Sequence, residues 1–322
     1  LQEKIDIHRL TAIMNNLDYY QDKLGGGYID GGVVKGEAYH TILKNYFNNL
    51  DTEGVGKTVY RQRRKIGGVP SGRFFADNSL SLQNLSRQMR HTIAGHLYYD
   101  SDFENCHPEI CRQLCVKHDI PCPFLTDYCV NRKSIITRLC GVFNAQKDDI
   151  KKLFLKALNG GLLPEQYSSD YFVSSLFQET SNIRTNMVQH YPSFFEEARK
   201  VSVHREFNNP LGTGINYVFC YFENEMLQIA RGVAKDCELE VGVLAFDGLM
   251  TRIEDASVQF LENIYYPLVV QTIKDKLGFD MRMSLKEPDE AFEVLQEHIE
   301  YSKKNDKPHF DVVDTVVAEY WD

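Results

Sequence analysis

Several features that would indicate a membrane or secreted protein are missing from this sequence of 322 residues. It has no run of roughly 18 apolar residues, the length that a membrane-spanning helix requires. Its first residues, LQEKIDIHRL, lack the basic and then apolar regions of a signal peptide. The eight cysteines lack the dense spacing of a small disulfide-linked scaffold. We therefore expect a soluble, intracellular protein with reduced thiols.

A phosphate-binding loop is also missing, and so is an overall positive charge. The segment GVGKT at 54–58 ends like such a loop, but the first glycine of the GxxxxGK[ST] motif would fall at Asp51. The net charge of −9 argues against indiscriminate coating of nucleic acid, although it does not exclude a local basic groove.

One segment, residues 57–73, contains no acidic residue and suits a polyanion. Its cations are Lys57, Arg61, Arg63, Arg64, Lys65 and Arg73. A solvated charged surface is the alternative interpretation of this run.

The periodicity of apolar residues predicts an α+β fold. Residues 1–60 are helical, apart from the glycine-rich turn GGGYIDGG, and a basic stretch with a polar loop follows to about residue 90. A strand and a helix cover HLYYDSDFENCHPEICRQLC, helices cover about 115–205, and NYVFCYFENEMLQIARGVA is a further helix. The segment ELEVGVLAFDGLMTRI reads as a hairpin and MRMSLK as a last strand.

Two carboxylates stand at notable positions in this pattern. Asp102 lies where a strand ends and a helix begins, and Asp247 lies at the tip of the predicted hairpin. Asp247-Gly248 is also a common turn dipeptide, so a purely structural role is the alternative. If the two strands are neighbours, both carboxylates reach one point, as a pair of Mg²⁺ ions requires. The expected chemistry is phosphoryl or nucleotidyl transfer.

A helix between these carboxylates provides positive charge. Lys147 and Lys151 are four residues apart and share one helical face, while Phe154, Leu155 and Leu158 are expected to face the core. The lysines could bind a triphosphate, or they could be a solvated pair beside Asp148 and Asp149.

The order of these segments resembles superfamily A nucleic-acid polymerases over about residues 60–290. SGRFFADNSLSLQNLSRQMRHTI is similar to the TGR…LQN…R segment, DFENCHPEICRQLC to motif A, K147-x3-K151-x7-N159-G160 to the spacing of motif B, and FDGLM to motif C. The D-x-D-aromatic-x-N-x-H-P pattern is closer still to the transposon-virus polymerases (TV-Pol) of mobile elements and large DNA viruses. Members of that branch are often joined to a D5-type superfamily 3 helicase, and we expect such a helicase to lie outside this chain.

The resemblance implies a role for each matching residue. Asp102 and Asp247 would bind two Mg²⁺ (or Mn²⁺) ions, and Lys151 would join them in catalysis. The nucleotide-binding residues would be Lys147, Lys151, His107, Asn159 and Gly160. Template and primer would contact Arg61, Arg63, Arg64, Arg73, Gln83, Asn84 and Arg90.

The sequence departs from the family at the sugar-contacting positions. His107 replaces a glutamate, Asn159 replaces a tyrosine, and Gly248 stands where DNA polymerases have a second motif C acid. His107 could crowd the ribose, hydrogen bond a 2′-hydroxyl, or pack at the helix start, so the preferred sugar stays open. Asp100 could compensate for the missing acid, although a site with only two aspartates is favoured.

The resemblance implies a right-hand polymerase with an antiparallel palm sheet. Residues 1–60 would be thumb-like, 61–114 and 206–322 palm, and 115–205 fingers. The predicted function is that of a DNA polymerase or primase-polymerase in viral or mobile-element replication. The alternatives are a single-subunit RNA polymerase, a metal-dependent nuclease and a noncatalytic replication scaffold. A separate zinc site is conceivable in the spacing of Cys111, Cys115, His118 and Cys122.

Overall fold

The computed structural model describes residues 1–29, 32–77, 80–203, 208–288, 290–305 and 307–311. Long helices surround small antiparallel sheets, which confirms the predicted α+β class. Each of the eight cysteines is a free thiol. Among the described helices, none has the length and apolar character needed to cross a bilayer.

The helices and strands follow in chain order. The strands are β1 (Gln2–Lys4), β2 (Gly27–Ile29), β3 (Gly32–Val34), β4 (Val55–Lys57), β5 (Tyr60–Ile66), β6 (Val69–Ala76), β7 (Tyr98–Phe103), β8 (Val241–Ala245), β9 (Gly248–Arg252) and β10 (Met283–Lys286). The helices are α1 (Ile7–Met14), α2 (Leu17–Tyr20), α3 (Glu37–Asn48), α4 (Arg87–Ala94), α5 (Cys106–Lys117), α6 (Pro123–Phe143), α7 (Lys147–Leu158), α8 (Tyr171–His190), α9 (Pro192–Ser202), α10 (Pro210–Asp236), α11 (Val258–Phe260), α12 (Tyr266–Leu277) and α13 (Gln296–Lys304).

The central sheet has four antiparallel strands in the order β10-β7-β9-β8. In this register Asp102 on β7 lies opposite Gly248 on β9 and Ser284 on β10. The sheet therefore brings the predicted motif A strand between the predicted hairpin and the last strand, as a shared carboxylate site requires.

The two faces of this sheet pack against different cores, because successive side chains of a strand point to opposite faces. Tyr98, Val243 and Met250 join a core formed with the N-terminal helices. Phe103 and Leu249 join the larger core, which contains α5 to α8 and α10. The sheet thus packs against both cores. Asp102 lies near the end of β7 and lines a cavity there.

Helix α7 shows one departure from the sequence-based expectation. Phe154 and Leu158 are buried as predicted, but Leu155 is 43% exposed, so its assignment to the core-facing side was wrong. The helix ends as expected, with Gly160 in the left-handed region at φ +76°. Its last carbonyls, those of Ala157 and Leu158, accept hydrogen bonds from the buried Arg184.

Strands also replace predicted helix and loop in the first part of the chain. The basic segment forms the β5–β6 hairpin, and the glycine-rich turn contributes β2 and β3. The polar side chains of β5 hide its alternation, since six of its seven residues are arginine, lysine, glutamine or tyrosine and are at least partly exposed. At the other end of the chain, α13 packs against α1, so the described C-terminal residues return to the N-terminal core.

Candidate active site

The two predicted aspartates meet at one end of the central sheet. Asp102 is the fifth residue of β7, and Asp247 belongs to the two-residue connection between β8 and β9. The backbone N–H of Phe103 donates to the carbonyl oxygen of Asp247 over 3.1 Å, which ties the connection to β7. Both carboxylates line one cavity of about 1210 Å³.

Gly248 makes this close approach of the strands possible. A Cβ atom at this position would overlap the Asp102 carboxylate and lie 2.5 Å from the carbonyl oxygen of Ser101. Any side chain would therefore displace Asp102 or separate β7 from β9. An acidic side chain at position 248, where DNA polymerases of the resembling superfamily have a second acid, would therefore not fit between β7 and β9 in this chain.

The connection itself adopts an uncommon backbone conformation. Phe246 has φ +61°, in the left-handed region that costs energy for residues other than glycine. The guanidinium of Arg73 lies 5.0 Å from the Phe246 ring centre, and the Phe75 ring packs at 6.2 Å. These contacts from β6 stabilise the conformation that presents Asp247 to the cavity.

The electrostatics of the two aspartates suit a bound cation. Burial, followed by the negative charge of Glu223, raises the pKa of Asp247 to about 6, and the described residues form no ion pair with it. Asp102 is paired with Lys286. Burial lowers the pKa of Lys286, while the Asp100 carboxylate opposes that effect. Mg²⁺ prefers carboxylate oxygens as protein ligands and fills its remaining coordination positions with water and phosphate oxygens. Asp102 and Asp247 offer such oxygens, and Asp247 forms no ion pair with the described residues that a metal ion would have to replace.

One face of α7 forms the wall of the same cavity. Lys147, Lys151, Leu155 and Asn159 recur every four residues and all line it. The Lys151 ammonium lies 3.0 Å from Asp148 on its own helix, an exposed pair of the kind that contributes little to stability. Lys151 therefore remains available to a ligand, and Leu155 adds an apolar contact that the sequence did not indicate.

Cations outnumber acids around this cavity despite the acidic chain. They are Arg73, Arg87, Arg132, Lys133, Lys147, Lys151, Arg282 and Lys286, against Asp102, Glu104, Glu223, Asp247 and Glu287. Low-dielectric walls strengthen the local potential, so the cavity attracts anions.

A buried ion cluster, missed by the sequence analysis, lies beside Asp247. The Glu223 carboxylate on α10 accepts from Arg73 Nε at 2.5 Å and from Arg73 Nη2 at 2.7 Å. His107 Nε2 lies 2.7 Å from the same carboxylate. The available signal was Glu223 directly after the apolar run YVFCYF and in helical register with Cys220, since a glutamate on the apolar side of a helix is rarely buried without partners.

The three members of this cluster fix one another's charge. Burial alone would raise the pKa of Glu223, but Arg73 and His107 hold it at about 2. Burial alone would lower the pKa of His107, but Glu223 and a hydrogen bond with Cys220 raise it to about 10. All three groups are therefore ionised near neutral pH, as buried charges require.

The same cluster has the donor atoms of a metal site. Those of His107, Cys220 and Glu223 lie within 4.8 Å of one another. Both Glu223 oxygens already accept charged hydrogen bonds, and a protonated histidine cannot ligate a metal. We interpret the cluster as an ion network. Among the described residues Cys111, Cys115, His118 and Cys122 form no such group, and His118 contacts Tyr191 instead.

The predicted nucleic-acid-binding residues occupy several environments. Arg73 lines the cavity, whereas Arg61 pairs with Asp77 at 2.6 Å. Arg63 donates to the Ala76 carbonyl, and Arg64 lies 4.4 Å from the Tyr217 ring centre. These arginines lie along the β5–β6 hairpin, whose β5 strand is largely exposed.

The LQN segment is more deeply placed. Gln83 is buried. Its side-chain amide nitrogen donates to the carbonyl oxygens of Phe74 and Leu244, and its amide oxygen accepts from the backbone N–H of Ala76, so that Gln83 connects β6 to β8. Asn84 is also buried, and Arg90 is half-buried with its Nε atom lacking a hydrogen-bond partner. Gly160 lies outside the cavity lining and ends α7. Nucleic-acid binding by these residues stays a prediction.

Comparison with known proteins gives only distant similarities, including one to a virophage protein and one to a polymerase domain. No family model matches the chain. "Putative helicase V13" of Sputnik virophage is 24% identical over 253 residues, which are 75% of this chain and 32% of the virophage protein. The chain thus spans about a third of that relative. The POL domain of Pol1 from M. smegmatis, solved with DNA primer-template and dNTP, aligns with a TM-score of 0.47 and 10% identity over 90% of this chain and 67% of that one.

Proposed function

We propose that this chain is a template-directed nucleotidyltransferase, a DNA polymerase or primase-polymerase. The observation that carries the proposal is that Asp102, near the end of β7, and Asp247, in the β8–β9 connection beside it, line one cavity that Lys147 and Lys151 also line. Carboxylates facing cations across one cavity suit a reaction in which metal-bound triphosphate is attacked by a hydroxyl.

In this mechanism Asp102 and Asp247 would hold the metal ions. Two Mg²⁺ or Mn²⁺ ions, when bound, would activate the attacking hydroxyl and stabilise the leaving group. Asp102 would give up its ion pair with Lys286 to bind a metal ion, and the half-buried Asp247, which forms no ion pair among the described residues, would gain a countercharge. Lys151 neutralises the phosphates from α7, with Lys147 at the start of the same helix.

The remaining cations would bind the template and primer. The arginines of the β5–β6 hairpin, of which Arg73 also lines the cavity, and the basic lining of the cavity would supply phosphate contacts. We propose that residues 1–60 are thumb-like, 61–114 and 206–322 palm, and 115–205 fingers, with the four-stranded sheet as the palm floor.

The biological setting follows from the TV-Pol resemblance and the virophage relative. We place the chain in the replication of a virus or mobile element. The name of the virophage protein supports a helicase in the same longer chain or complex, and the resemblance to TV-Pol suggests that this helicase is of the D5 type.

Primer extension with a labelled primer tests the proposal. The wild type should extend the primer with Mg²⁺, and Asp102→Ala or Asp247→Ala should reduce incorporation by roughly 10³-fold or more, because electrostatic stabilisation of the transition state is lost. Asp275→Ala, an exposed aspartate on α12, serves as the matched control.

Two outcomes of this assay would contradict the proposal. Shortening of the primer without extension would establish a nuclease. Incorporation near the wild-type rate in a folded Asp102→Ala or Asp247→Ala variant would remove the proposed mechanism. Parallel reactions with template alone, and with rNTPs or dNTPs, separate priming from extension.

A further inference from the structure

Helix α10 carries a row of polar side chains toward the candidate active site. Asn216, Cys220 and Glu223 recur at helical spacing on one face. The Asn216 amide donates to Asn159 Oδ1 at 3.3 Å, and Cys220 Sγ donates to Asn216 Oδ1 at 3.6 Å. This row therefore begins at the C-terminal end of α7.

The row continues into the buried ion cluster. Cys220 hydrogen bonds His107, and Glu223 binds both His107 and Arg73. One connected network thus joins α7, α10, the start of α5 and β6. Its charged centre is Glu223, whose side chain is only 1% exposed.

The position of this network along α7 indicates which part of a nucleotide it meets. Lys147 and Asn159 are twelve residues apart, so they are separated by about 18 Å along the helix axis. If Lys147 and Lys151 bind the triphosphate at the start of α7, the sugar and base of the nucleotide lie nearer to Asn159 at the end of the helix. Arg73, His107, Asn159 and Glu223 all line the cavity, and the network described above connects the first two and Glu223 to Asn159.

Within the cluster, only Arg73 has substantial access to a ligand. Its side chain is 30% exposed, and its Nη1 atom takes no part in the bonds to Glu223. His107 is 9% exposed, with Nε2 directed at Glu223. The glutamate therefore determines where both cations stand.

We propose, on the basis of the proposed function, that Glu223 is a positioning residue that fixes Arg73 and His107 as one unit against the sugar of the incoming nucleotide. It does not touch the reacting atoms. Without its charge, Arg73 and His107 repel each other and lose their common anchor, because a buried cation needs a paired anion.

Glu223→Gln tests this role, since it keeps the shape of the side chain and removes its charge. We expect kcat/KM for nucleotides to fall about tenfold or more, mainly through KM, and the rNTP/dNTP ratio to change at least about threefold. Affinity for template-primer should stay within about twofold. Glu225→Gln, on the same helix and outside the network, is the matched control and should leave all three quantities unchanged.

Double-mutant cycles separate positioning from general destabilisation. His107→Asn and Glu223→Gln act on one unit, so the double variant should lose little more than the worse single variant. If Glu223→Gln does not fold, as judged by circular dichroism, the His107→Asn and Arg73→Lys pair gives the same test. Additive effects in either cycle contradict the proposal.

The outcomes distinguish this inference from the proposed function. An active wild type with a Glu223→Gln variant equal to Glu225→Gln overturns the role of Glu223 and leaves the nucleotidyltransferase intact. A wild type that neither incorporates nucleotides nor binds a fluorescent nucleoside triphosphate overturns both.

Discussion

Replacing Gly248 with alanine tests the sheet geometry without changing any charge. The added Cβ would overlap the Asp102 carboxylate and approach the Ser101 carbonyl oxygen to 2.5 Å, closer than real Cβ contacts occur. Relief requires either a new position for the Asp102 side chain or a separation of β7 from β9. A misplacement of about 1 Å at a reacting centre can cost on the order of 10²-fold in rate. Overpacking of this kind destabilises proteins by about 1–3 kcal/mol.

We therefore expect Gly248→Ala to fold with a reduced melting temperature and to lose about 10²-fold or more in primer extension. Gly232→Ala is the matched control, because its Cβ meets nothing within 4 Å on the exposed side of α10. That change should stabilise the protein slightly and leave activity unchanged, since alanine favours helix over glycine.

The Asp102→Ala background identifies the cause of the Gly248 effect. If the Asp102 carboxylate is the main obstacle, Gly248→Ala should cost less stability when that carboxylate is absent. Wild-type activity in Gly248→Ala, or a stability cost independent of Asp102, would refute the argued contact.

Three further expectations concern charge. Lys151→Ala should raise the nucleotide KM or lower kcat with template affinity nearly unchanged, and Lys147→Ala should have a smaller effect; an equal loss of template affinity would place these lysines in the nucleic-acid groove. Neutralising Arg61 and Arg64 together should flatten the slope of log K against log salt for template binding by roughly two units without changing sequence preference, whereas an unaltered slope would return the hairpin to a solvated surface. Burial raises the pKa of Asp247 to about 6 in the folded protein. Ionisation of Asp247 therefore lowers the free energy of unfolding of the metal-free protein as the pH rises from about 4 through 6, by a total on the order of 3 kcal/mol. The stability gained by Asp247→Asn, measured by urea unfolding without metal, should accordingly be small near pH 4 and large near pH 7.5, and a gain that does not vary with pH would contradict the raised pKa.

Much of the site's frame was predictable because its signals are local. The period of α7, its glycine stop, and the apolar runs of β8 and β9 on either side of the turn at Asp247-Gly248 all lie within short stretches of sequence. The motif order then suggested that Asp102 and Asp247 meet, and the strand register places them together. The β5–β6 hairpin escaped prediction since its charged residues resemble a loop, although a two-stranded ribbon tolerates charge on its open face.

The partners of Glu223 could not be read from sequence in the same way. Arg73 precedes it by 150 residues, and the pairing depends on how β6 packs against α10. The exposure of Leu155 is likewise set by the cavity beside α7, since helical periodicity alone groups it with Phe154 and Leu158.

Long-range pairing also determines how an acidic chain builds a cavity for anions. Glu223 forms ion pairs with Arg73 and His107, Asp102 with Lys286, and Glu104 with Arg282, so three of the five acids lining the cavity are already neutralised by neighbours. Within the part of the chain that the structure describes, Lys151 forms an ion pair only with the exposed carboxylate of Asp148, which solvent screens. The positive wall is therefore open to phosphate, while the uncompensated Asp247 on the opposite side is open to a metal ion. A metal-bound triphosphate satisfies both walls at once, which neither a bare anion nor a bare cation does.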